Sequence, residues 1–110
     1  MEYTVKEIKY GKNKMMYVPV FADESLKIFE EFLMTEVKSF KKQILEIIAK
    51  VIEQPSEEIE FAGNVCILRI KNGIAKIECN IDGAEVGAPA EIKFEEFVAV
   101  VNSWIKDTQK

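Results

Sequence analysis

Histidine is absent from this 110-residue chain, and arginine occurs once, at Arg69. Without an imidazole, no side chain has an ordinary pKa near neutrality, so the usual general base and the commonest metal ligand are both missing. A lone guanidinium removes the bidentate clamps on which many phosphate and carboxylate sites rely. Five glycines and three prolines exclude collagen-like and linker-rich architectures. Two cysteines cannot make a disulfide scaffold, and without His they do not complete a zinc site. No apolar run approaches the roughly 18 residues of a spanning helix, and the opening Met1-Glu-Tyr-Thr-Val-Lys lacks the apolar core of an export signal. The expectation is a cytoplasmic protein that does not enter a membrane.

What is present is globular: 48% hydrophobic and 31% charged residues in a length that suits one domain, 1–110. The net charge of −4 disfavours a general grip on phosphate backbone. It is unevenly spread: residues 1–21 carry four Lys against two Glu, whereas residues 55–110 carry six cations against ten carboxylates.

Hydrophobic period changes along the chain in a readable order. Tyr3 to Tyr10 and Met15 to Phe21 predict a hairpin around Gly11-Lys12-Asn13-Lys14, with Pro19 placing the second strand at an edge or near its end. From Asp23 to Glu53 apolar residues recur at 26, 29, 33, 37, 40, 44, 47 and 51, with Ile28, Phe32, Ile48 and Ile52 widening the stripe. Asp23 suits the helix start and Pro55 blocks continuation. At about 1.5 Å per residue such a helix would be roughly 45 Å long, too long for a small domain. It therefore bends around Glu36 to Lys42 or serves as the interface of a homodimer. Ile59 and Phe61 predict a short strand, followed by a turn at Gly63-Asn64. Asn72-Gly73 between two apolar runs is the strongest hairpin signal, and its two-residue turn fixes the register: Lys71 with Ile74, Ile70 with Ala75, Leu68 with Ile77 and Cys66 with Cys79. Cys66, Leu68, Ile70, Ala75, Ile77 and Cys79 then share one apolar face, and Arg69, Lys71, Lys76 and Glu78 the other. Asp82-Gly83 marks a turn, Ala84 to Ala90 a loop, and Phe94, Phe97, Val98, Val101, Trp104 and Ile105 a terminal helix. The expected fold is α+β, about five antiparallel strands in the order β-β-α-β-β-β-α, with the helices against one face.

Few constellations carry chemistry. Cys66 and Cys79, at a non-hydrogen-bonded cross-strand site, have Cα atoms roughly 4.5 Å apart, which fits core thiols, a redox pair or, least of all, metal ligands. The four serines have no His to activate them, no glycine pattern cradles phosphate, and Asn80 to Glu85 is too short and irregular for a calcium loop. No enzyme activity, cofactor or metal is expected. The surplus carboxylates Glu57, Glu58, Glu60, Asp82, Glu85, Glu91, Glu95 and Glu96 form either a solvated surface or one that docks a basic protein. Tyr10, Tyr17, Phe97 and Trp104 are core residues by default, with Tyr17 the one expected to show its hydroxyl. A ligand or nucleic-acid site on Arg69, Lys71 and Lys76 is the remaining alternative.

Two segments resemble a known group: Phe61-Ala-Gly-Asn-Val-Cys-Ile-Leu-Arg-Ile-Lys-Asn-Gly-Ile-Ala-Lys-Ile-Glu-Cys-Asn-Ile and Glu91-Ile-Lys-Phe-Glu-Glu-Phe-Val-Ala-Val-Val-Asn-Ser-Trp-Ile. They are similar to the small acidic immunity proteins of bacterial polymorphic-toxin systems, including contact-dependent growth inhibition. The resemblance implies a cytoplasmic partner that holds a toxin domain, often a basic nuclease, inactive through an acidic surface. It carries no specific functional residue. The expected occupation is inhibitory binding of a basic toxin domain; the alternative is a homodimeric adaptor assembled through the long helix.

Overall fold

The computed structural model describes residues 1–81 and 87–109. Six strands form two antiparallel sheets. β1 (Thr4–Tyr10) and β2 (Lys14–Val20) make a two-stranded ribbon, and β3 (Ile59–Ala62), β4 (Cys66–Lys71), β5 (Ile74–Cys79) and β6 (Ala90–Lys93) make a four-stranded meander. The fold is α+β as expected, but the expected single sheet of about five strands becomes two sheets and six strands. The additional strand is β6, where Ala90 and Ile92 alternate over only four residues before the chain turns into α3 (Phe94–Thr108). So short an alternation reads equally well as the end of a loop. The predicted Asp82-Gly83 turn and most of the Ala84 to Ala90 loop lie outside the described residues.

The β4–β5 register is the predicted one at every pair from Cys66↔Cys79 to Lys71↔Ile74. Asn72 and Gly73 have φ of 51° and 77°, as the mirror-image turn requires. The carbonyl of Gly73 accepts the Phe94 N–H at 2.8 Å, so this turn also satisfies the otherwise uncapped start of α3. In the first hairpin Lys14 belongs to β2 rather than to the turn, pairing with Tyr10 across residues 11–13.

The long helical segment is interrupted within its predicted bend. After a 3₁₀ turn (Glu24–Leu26) begun by Asp23, α1 (Lys27–Phe32) passes through a π-helical turn (Leu33–Val37) into α2 (Lys38–Glu53). Phe40 has φ −127° and ψ 34°, non-helical values that set the kink. The ribbon lies on one side of α1 and the π turn, and the four-stranded sheet on the other. This three-layer arrangement explains why Ile28, Phe29, Phe32 and Leu33 are all completely buried: the element has apolar neighbours on every side. Phe29 stacks between Phe21 and Phe97 at centroid distances of 5.3 and 5.8 Å. Farther along, Ile44, Ile48 and Val51 of α2 are buried within the protomer, whereas Ile52, expected in the same stripe, is 62% exposed at its margin.

Candidate protein-binding surface

The inner face of the four-stranded sheet consists of Cys66, Leu68, Ile70, Ala75, Ile77, Ala90 and Ile92, all buried. Strand alternation therefore sends the charged residues to the opposite, solvent-facing side. Glu60, Arg69, Lys76 and Glu91 stand in one register row across β3, β4, β5 and β6. At about 4.8 Å per strand the row is roughly 14 Å wide, with carboxylates at both ends and cations in the middle. Arg69 bridges Glu60, at 3.3 Å, and Glu78. Lys71 lies 3.8 Å from Glu58, and Lys50 of α2 lies 3.3 Å from Glu57. The cations of the alternative nucleic-acid face thus sit among carboxylates: Arg69 and Lys71 in ion pairs, Lys76 directly opposite Glu91.

The eight sequence-selected carboxylates do not converge on one patch. Glu57, Glu58 and Glu60 gather at the β3 edge, each opposite its own cation. Glu91 on β6 and Glu95 and Glu96 in the first turn of α3 form a second group at the strand-to-helix corner, with no ion pair to a described residue. Glu95 and Glu96 border a shallow recess with Met1, Tyr3 and Ser103. Asp82 and Glu85 lie outside the described residues.

One carboxylate that sequence reasoning did not single out organises the local structure. Glu36, in the π turn, is fully buried and accepts backbone N–H groups from Asn64 (2.9 Å), Val65 (2.9 Å) and Cys66 (2.6 Å). Three turn amides, the Cys66 one buried and the other two partly so, are thereby satisfied by one charged acceptor. Gly63 makes room for it: a Cβ at that position would stand 2.3 Å from the Glu36 carboxyl carbon. On the other side of the same turn, Asn80 donates through its side-chain nitrogen to the Gly63 carbonyl at 3.1 Å and through its backbone N–H to the Val65 carbonyl at 2.6 Å. The β3–β4 turn is thus clamped from the helix layer and from β5. A signal existed only as a contradiction, a Glu at an apolar stretch of helix next to Val37.

Burial pushes the Cys66 thiol up to about 12, with the Glu36 charge adding to the effect, so it remains a protonated core group. Cys66 is buried and Cys79 half-buried, and no disulfide joins them. Among the aromatics, Phe97 and Trp104 are core residues. The exposed tyrosine is Tyr10, at 50%, with the Lys14 ammonium 5.9 Å from its ring centroid, while Tyr17 is half-buried against the core. Tyr17 packs its ring against the core from β2 while remaining partly exposed. Tyr3 bridges layers, its ring against Phe21 and Trp104 and its hydroxyl donating to Asp107 at 2.9 Å. No described helix is long and apolar enough to cross a membrane.

Comparison with known proteins adds one decisive match. Over 87 residues the chain is 31% identical to an immunity protein of Bacillus cereus, an alignment that covers 79% of this chain and 74% of the relative. The chain belongs to this immunity-protein family. No family model matches it, and no solved structure matches it. The alignment covers most of this chain rather than a single hairpin.

Proposed function

We propose that this family member is a cytoplasmic inhibitor that binds and neutralises a cognate toxin domain, a basic nuclease of the polymorphic-toxin or contact-dependent growth-inhibition type. The observation that carries the reading is the 31% identity to an immunity protein over most of both chains. An inhibitor of this kind works by occupying surface, so it needs a rigid display of complementary charge rather than reacting groups. A nuclease must attract phosphate with a basic cleft, which makes carboxylates the natural complement. On this reading Glu95 and Glu96 are the leading contacts, with Glu91 beside them, because none of the three makes an ion pair with a described residue, although Glu91 stands across the sheet from Lys76. Glu57, Glu58 and Glu60 contribute less, since each would exchange an existing ion pair for a new one. Asp82 and Glu85 stay in the proposed set of contact residues on sequence grounds alone.

The test is co-expression with the C-terminal domain encoded by the gene immediately upstream. The expected result is that this domain arrests growth alone, that the present protein restores growth, and that the two co-purify. A toxic neighbour that is neither neutralised nor bound would overturn the reading.

A further inference from the structure

A groove of about 360 Å³ opens between β2, the junction of the π turn with α2, and the end of α3. Its floor is apolar: Leu33, Val37 and Trp104 are core residues, with Met34 and Ile105 half-buried beside them. Met15 and Met16 form one wall and are 43% and 41% exposed. Lys38 and Lys41, on either side of the Phe40 kink, form the rim. Both are exposed and neither makes an ion pair with a described residue. No Asp or Glu is among the described residues lining the groove. The ribbon that supplies the methionine wall adds exposed Lys6, Lys9, Lys12 and Lys14 against Glu2 and Glu7. The groove lies at the C-terminal end of α3 and the Glu95 corner at its N-terminal end, about 20 Å away along the helix.

We infer that this groove docks a segment of a partner protein that carries one or two bulky apolar side chains flanked by carboxylates. Two features select that occupant. Methionine side chains are flexible and polarisable, so they re-form around an inserted apolar anchor, as promiscuous peptide-binding surfaces do. The rim supplies cations with no competing carboxylate in the groove, so charge complementarity selects acidic flanks. A second copy of this chain is a poor occupant: a two-fold contact would set Lys38 and Lys41 against their own equivalents. The volume, near the lower end of the range for ligand pockets, suits a few anchoring side chains rather than a whole helix face. The inference rests on the reading of this chain as a protein-binding module and adds a second contact site, of charge opposite to the acidic corner.

The probes are two synthetic 12-residue peptides with identical Leu and Phe positions, one with Glu between them and one with Lys. Each is titrated into the ¹⁵N-labelled full chain and followed by amide shifts. The Glu peptide is expected to move the signals of Met15, Met16, Lys38, Lys41 and the Trp104 indole, and the Lys peptide to leave them in place. The variant Lys38→Glu/Lys41→Glu should weaken the Glu peptide at least ~10-fold, as loss of two charge contacts with reversal implies. Met16→Ala, an exposed change that spares the core, should weaken it independently without changing the thermal midpoint. Absent groove shifts, equal binding of the Lys peptide, or wild-type affinity in both variants would overturn the inference. Growth rescue without peptide binding removes the groove alone, whereas peptide binding without rescue removes the toxin reading alone.

Discussion

At the scale of single residues, the most consequential group is the Glu36 carboxylate. Itself fully buried, it holds three backbone N–H groups of residues 64–66. Glu36→Ala leaves those donors unpaired, and we expect a loss of about 3–5 kcal/mol in urea unfolding. Glu36→Gln retains an acceptor but not the charge, for a loss of about 2 kcal/mol. Gly63→Ala should be nearly as damaging as Glu36→Ala, because the new Cβ overlaps the carboxyl group. In the Glu36→Ala background the same glycine change should cost under about 1 kcal/mol, and simple additivity of the two would refute the clamp. Two other groups predict the alkaline limit. Cys66 is raised from 9.0 to about 12 by burial and then by the Glu36 charge, and Tyr3 from 10.0 to about 12 by burial, opposed by Ser103 and reinforced by Asp107. The unfolded chain releases both protons first. Their stabilisation is therefore fully present below pH 9 and is lost as pH rises toward 12. Urea midpoints measured from pH 8 to 11 should fall, and Cys66→Ala should fall less steeply than wild type.

Among the elements, the β4–β5 hairpin shows how much a sequence can specify. A two-residue turn leaves one register, and Asn72-Gly73 supports it through two positive φ angles. Gly73→Ala meets no neighbouring atom within 4 Å, so its cost is backbone strain alone, about 1–2 kcal/mol by chemical denaturation. Because the Gly73 carbonyl also receives the Phe94 N–H, amides in the first turn of α3 should exchange faster in that variant. The helical bend was one of two outcomes that the length of the stripe left open, the other being a straight helix packed on a second copy, and Phe40 breaks the segment inside the expected window. Three features were not legible. β6 is four residues long and owes its existence to pairing with β5. Glu36 is locally indistinguishable from its charged neighbours, since only the approach of Gly63 and the β3–β4 turn, about 28 residues later, makes it an acceptor. The basic groove draws on residues 15–17, 33–41 and 104–109, three segments whose proximity no periodicity announces. Among the described acidic candidates, the division into an ion-paired edge and a corner without ion pairs depends on sheet order.

For the whole molecule, the three layers leave the α2 stripe of Ile44, Ile48 and Val51 facing inward, so the long helix has little apolar surface to offer a second copy. Sedimentation at high protein concentration should give the monomer mass of 12.6 kDa, and a stable dimer would return the adaptor alternative to consideration. If the acidic corner is the toxin contact, the triple reversal Glu91→Lys/Glu95→Lys/Glu96→Lys should weaken binding at least ~100-fold. The matched reversal Glu57→Lys/Glu58→Lys/Glu60→Lys should weaken it far less, because those charges already have partners. Comparable effects of the two triples would place the contact elsewhere on the acidic half. The most direct measurement is calorimetric titration of the purified upstream-encoded C-terminal domain, in catalytically inactive form, into this protein. The account predicts a one-to-one complex with Kd below about 10 nM that weakens as salt increases. No binding at micromolar concentrations, from a domain shown to be folded and toxic in its active form, would contradict it.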